Sequence, residues 1–251
     1  MNRLLALASA LALVAAPCAA APDAAAYDAY ARGDYLAAAD LAVAAGGAEN
    51  LTMAAIALNA VAYFEPGRKA ARTRAEAALD LAERAIALEP SLADAHVQAA
   101  VALLLKSARM SGLSAFVSGN AGRARTRLDN ALMLAPTHPL ALSTSASWRI
   151  EVTRRGGGAL KGADPERGFD EFQKARSLAP GDAIVAYECA LRLLADGRKA
   201  WRTPALSCLD GALAATPSRK FEKDVQSLSR SLKAAVDAGA KAEKSFIDNQ
   251  P

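Results

Sequence analysis

Ala78-Leu-Asp-Leu-Ala-Glu-Arg-Ala85-Ile-Ala-Leu-Glu-Pro90 is the stretch that decides the fold, because the chain writes its pattern four times. Ala124 to Pro136, Gly168 to Pro180 and Ala205 to Pro217 keep the same spacing. Twelve residues before each proline stands a small residue: Ala78, Ala124, Gly168 and Ala205. Eight before it comes Ala82, Leu128, Phe172 or Leu209, and five before it an alanine, Ala85, Ala131, Ala175 or Ala212. Offsets of four, three and five follow one face of an α-helix, and a proline stops that helix. Pro90, Pro136, Pro180 and Pro217 lie 46, 44 and 37 residues apart, room enough for a second helix in each unit. A repeated pair of helices is therefore expected.

Composition agrees. Alanine is abundant, aromatics make up 5% of the 251 residues, and the β-branched residues are sparse, which favours helix over sheet. The formal net charge is +4, too mild to argue for nucleic acid. Residues 1–21 read as a secretory signal peptide: Arg3 supplies the positive start, Leu4 to Ala16 the apolar run, and Cys18 to Ala21 the small residues at the cleavage site. The alternative is a lipoprotein anchored at Cys18. Loss of Arg3 takes the net charge from +4 to +3. An exported chain, periplasmic or secreted and without a transmembrane segment, is expected.

Tyr30-Ala-Arg-Gly33-Asp34-Tyr35, followed by Ala38 and Ala45, fits one more unit ahead of the four prolines. With these residues in place the chain resembles the tetratricopeptide repeat (TPR) family over residues 22–219. The resemblance is carried by the second helix of each pair. The family's early tryptophan is replaced by Ile56, His96, Leu142 and Ala186, and the units exceed the family's length between the paired helices. The resemblance implies an all-α, right-handed solenoid of about five helix pairs. Residues 220–251 then supply a capping helix, Phe221 to Ala240 with a stripe of Phe221, Val225, Leu228 and Leu232, and a frayed tail. Gly33 and Gly197 stand where first helices end. Asp164-Pro165 and Thr203-Pro204 stand where second helices begin.

The family holds peptides or helices along the concave face made by its first helices. Carried onto this chain, that face would draw on Asn59, Tyr63, His96, Leu103, Leu142, Arg149 and Tyr187. The expected function is that of a non-catalytic periplasmic scaffold or adaptor that binds a protein or peptide segment in this groove. The alternative is a small-molecule carrier assisting a transporter, and the second alternative an enzyme. Catalysis is poorly supplied: His96 and His138 are the only histidines, and no nucleophile elbow or Walker loop occurs. No metal or other cofactor is implied. Gly156-Gly157-Gly158 after two arginines could imitate a phosphate nest, but reads better as a turn.

Two further features bear on partners. Arg123, Arg125, Arg127, Arg154 and Arg155 belong to turns on one edge of the expected solenoid, and no acid interrupts the run from Lys106 to Arg127. Such a basic edge would suit an anionic envelope surface or an acidic protein; plain solvated turns are the simpler reading. The apolar insert Met110 to Val117 would either contact a partner or fold back. Cys189 and Cys208 are an even pair, one on each helix of the last unit. If the second helix starts at Pro204, their heights differ by roughly 4 to 5 Å at 1.5 Å per residue, which favours two separate thiols over a bridge.

Overall fold

The structure, a computed structural model, describes residues 21–108 and 118–250. Residues 1–20 of the expected signal peptide and the insert Met110 to Val117 lie outside the described residues. Among the described residues there are twelve α-helices, one 3-10 turn and no strand. The helices are α1 Ala24–Arg32, α2 Tyr35–Ala45, α3 Ala48–Phe64, α4 Arg68–Leu88, α5 Ala93–Ala108 and α6 Asn120–Leu134. They continue as α7 Pro139–Arg154, α8 Pro165–Leu178, α9 Ala183–Asp196, α10 Arg202–Ala214, α11 Lys220–Asp237 and α12 Ala240–Asp248.

The prolines act as the sequence predicts. Helices α4, α6 and α8 each end two residues before one, at Leu88, Leu134 and Leu178. The proline then occupies the second position of a four-residue turn. In each turn the fourth residue donates to the first, Leu92 to Glu89, His138 to Ala135 and Asp182 to Ala179, all at 3.1 Å. Proline presets the backbone angle that this position needs. Two turn-closing residues also cap the next helix: the His138 ring accepts from the Ala141 amide, and Asp182 accepts from Ile184 and Val185. Gly33 and Gly197 end α1 and α9 with φ of 95° and 79°, a left-handed conformation open to glycine.

The repeated phrase is the core. All four alanines five residues before the prolines, and the four residues eight before them, are fully buried. So are Ala78, Ala124 and Ala205, and Gly168 is buried with them. Small side chains at these points let backbones approach. A Cβ placed on Gly168 would lie 3.1 Å from the Ala146 carbonyl oxygen and 3.1 Å from Ile150.

Each helix packs on its neighbour in sequence, α1 on α2 through α11 on α12, with α8 on α9 the thinner contact where repeats meet. A second set of contacts joins odd-numbered helices, α1 with α3, α3 with α5, α5 with α7, α7 with α9, and α9 with α11, and α9 also touches α12. The series then returns on itself, because α11 also touches α1. Six helices thus form a closed inner row, with the even-numbered ones outside. Phe221 on α11 fastens the join. It is half-buried, packs against both halves of the hydrophobic core, and meets Phe64 and Tyr63 of α3 with ring centroids 5.4 and 5.9 Å apart.

Three local expectations fail for identifiable reasons. Thr203 does not cap α10, because the 3-10 turn Lys199–Trp201 leads into the helix and starts it at Arg202. The tail is not wholly frayed: α12 packs on α11, and its buried Glu243 accepts from Arg202 at 2.5 and 2.7 Å. Cys189 and Cys208 are bridged, with Cα atoms 5.9 Å apart. The earlier start of α10 explains it. Cys208 stands six residues inside its helix and Cys189 seven from the end of its own, so the heights differ by only about 1.5 Å.

Among the described residues no helix is long and apolar enough to cross a membrane.

Candidate functional site

The closed row surrounds a cavity. A chamber of about 170 Å³ is walled by all six odd-numbered helices, through Tyr30, Asn59, Val101, Ser147, Glu188 and Phe221 among others. It adjoins a larger chamber of about 590 Å³, and Tyr63, Leu104, Leu105, Ser147 and Arg192 line both. The larger one is bounded further by Trp148, Glu151, Val152, Arg154, Arg155 and Leu160. Ile56, Val101, Leu104, Ile184 and Phe221 are large apolar residues that stay only half-buried, although they face the middle of the molecule. They are what a ligand would cover.

Where the chambers meet, the apolar wall gives way to charge. Glu188 accepts from Arg192 at 3.1 Å and from Tyr63 and Ser147 at 3.3 Å each. Glu151 accepts from Arg154 through both oxygens, at 2.7 and 2.8 Å, and from Arg155. Burial alone would raise the Glu151 carboxyl; the Arg154 hydrogen bonds and the charges of Arg192, Arg155 and Arg154 outweigh it and hold the group at about 2. Burial works against the Arg192 charge too, but Glu188 and Glu151 push its proton affinity above the ordinary arginine range. Tyr63 is raised well above its usual value, by burial first and then by the neighbouring Tyr187 and Glu188. Glu151, Arg154 and Arg192 are ionised at neutral pH.

Asn59 and Tyr63, read from sequence as groove residues, line the small chamber. Leu103, Leu142, Arg149 and Tyr187 do not; each is buried between helices. The cavity is lined instead by Leu104, Ser143 and Glu188, one position further along for three of the four. One residue turns the side chain by about 100° on a helix, which is the whole difference between wall and core. Arg149 is a structural tie: its Nε reaches both oxygens of Glu171 at 3.1 and 3.0 Å, and it also donates to the Gly162 carbonyl. His96 is buried, with Nε2 3.0 Å from the Pro90 carbonyl oxygen. The polar lining that the sequence reading missed, Gln98, Ser143, Thr144 and Ser147, sits on helices buried nearly all round, where no amphipathic stripe marks the inner face.

The basic edge is a row of partnered cations. Arg123 and Arg127 both reach Glu83 of α4, the first at 3.7 Å. Arg125 is buried over the Trp148 ring, binds Asp129, and donates to Ser145 at 2.8 Å. Arg154 and Arg155 share Glu151. No acid interrupts the run in sequence, but helix packing brings one from the neighbouring unit. Gly156 and Gly157 spend their amides on Thr153 and Val152, closing α7 as a turn and leaving no phosphate nest. Trp148 is core, its Nε1 donating to Ala121 at 2.8 Å, and Trp201 is buried in a stack on Phe169.

No family model matches this chain, and no curated protein matches it either.

Proposed function

We propose that this chain is an exported, non-catalytic carrier that holds a small, largely apolar molecule in the cavity at the centre of its helix row. The observation that carries this reading is the return of α11 onto α1, which turns a concave trough into a chamber. The larger chamber, about 590 Å³, falls within the roughly 300–1,000 Å³ typical of small-molecule sites. An adaptor that grips an extended peptide needs an open trough along its first helices. Here such a peptide would have to displace Tyr63 and Phe221. In architecture the reading is a right-handed stack of about five TPR-like helix pairs, the carrying phrase of each repeat forming its core. The apolar run at Leu4 to Ala16 and the Cys189–Cys208 bridge support export to an oxidising compartment. A membrane transporter is the partner this reading implies.

The test is a titration of the purified chain with N-phenyl-1-naphthylamine, a neutral apolar fluorophore. The expected result is saturable binding by the native protein and its loss in Leu104→Trp, which fills the junction of the two chambers. An unsaturable signal, or equal binding by the variant, contradicts the carrier.

A further inference from the structure

Five charged side chains stand where the chambers join and the larger one reaches solvent. Glu151, Arg154 and Arg155 close α7, and Glu188 and Arg192 lie on α9. Both carboxylates are satisfied, Glu188 by three donors and Glu151 by two guanidinium groups. Among the described residues three arginines face two acids. Asp248 and Glu243, which share a surface hollow with Arg154, are paired with Lys244 and Arg202, and Lys106 on the adjoining helix is paired with Glu76, so none of these alters the balance. One positive charge is left over beside the apolar surface of Leu104, Leu105, Val152 and Leu160. The excess is best placed on Arg155. Arg154 takes both oxygens of Glu151, whereas Arg155 gives that carboxylate only its Nε and keeps 48% of its side chain exposed. Its terminal nitrogens have no partner among the described residues. A planar guanidinium with two parallel donors facing outward is suited to a carboxylate.

We propose that the molecule carried is an organic monoanion with an apolar body, its carboxylate at Arg155 and its apolar part against Leu104, Leu105 and Val152. This rests on the carrier reading above and adds the chemical class of the ligand. A cationic ligand would meet the excess charge with repulsion, and a neutral one would gain nothing from it.

Displacement of N-phenyl-1-naphthylamine by decanoate, 1-decanol and decylammonium tests it, with one chain length and three charges. Decanoate is expected to displace at about one-tenth the concentration that 1-decanol needs, the effect of one charge-assisted hydrogen-bonded pair, with decylammonium weakest. Arg155→Gln balances the charges and should bring decanoate to the level of 1-decanol, with 1-decanol itself unchanged as the control for folding. Glu151→Gln releases both arginines and should tighten decanoate further. Decanoate no better than 1-decanol in the native chain, or a preference that survives Arg155→Gln, overturns the anion proposal alone. Failure of the fluorophore and of all three amphiphiles to bind overturns the carrier reading beneath it.

Discussion

The Tyr63 hydroxyl on α3 donates to Glu188 on α9 at 3.3 Å, across 125 positions of sequence. The two helices do not follow one another in the inner row; α5 and α7 lie between them in the chain. The bond therefore spans the space that the row encloses. It places a hydrogen-bonded tyrosine, and beside it Phe221 and Phe64, where an unclosed stack of helices would present an open face.

Phe221 should matter beyond its own burial. Phe221→Ala removes the side chain that packs on both halves of the core, and the half-buried ring implies a cost of about 2 kcal/mol, below the roughly 3–5 of a fully buried phenylalanine. The midpoint of urea unfolding should fall accordingly. Amide exchange should accelerate in α1, the helix that loses its contact with α11, more than in α5 or α7.

The Cys189–Cys208 bridge closes a separation of 19 residues and joins α9 to α10. Replacing both cysteines by serine should cost about 3 kcal/mol by the chain-entropy argument. Mass spectrometry of the unreduced protein should find a peptide pair joined at these positions. Free alkylation of both thiols without reductant would contradict the bridge.

Glu151 makes stability depend on pH in a stated direction. Its folded value of about 2 lies below the ordinary 4.5, so the unfolded chain takes up the proton first as pH falls. The contribution is complete above about 4.5 and is lost between there and about 2. It should amount to about 3 kcal/mol. Chemical unfolding of Glu151→Gln across that window should show a flatter decline than the native chain.

Gly168 is a point of close approach in the α7–α8 contact. A backbone carbonyl, Ile150 and the Arg149 Cβ all lie within 3.2 Å of the place an added Cβ would take. Gly168→Val should destabilise by about 2 kcal/mol through overpacking. The same change at Gly122, which has open space around it, should cost no more than the poorer helix propensity of valine allows. Thermal melts of the two variants compare them.

What the sequence discloses is periodic and local. Twelve positions counted back from four prolines are all core, since each repeat solves the same contact with the same small residues. The prolines locate the turns because proline cannot extend a helix. The cavity wall is less legible. Residues 141–150 of α7 are all buried, so Leu142, which is core, and Ser143, which faces the chamber, differ in no pattern a single chain displays. Pairings between units, such as Arg127 with Glu83, and the return of α11 to α1 join residues that no short spacing connects. The bridge escapes the sequence for want of one detail, the 3-10 turn Lys199–Trp201 that starts α10 two residues before Pro204.

Closure of the inner row is the claim on which the chamber depends, and Gly33 and Lys220 measure it most directly. A Cβ on Gly33 would stand 3.2 Å from the Lys220 Cβ, near the roughly 3.5–4.5 Å that disulfides span. Oxidation of the double variant Gly33→Cys, Lys220→Cys should join the first helix to the eleventh, seen as one linked peptide pair after digestion without reductant. Recovery of both thiols in free form, with the native bridge intact and the single variant Gly33→Cys melting as the native chain does despite its left-handed backbone there, would mean that the ends stand apart and that the chamber is an open trough.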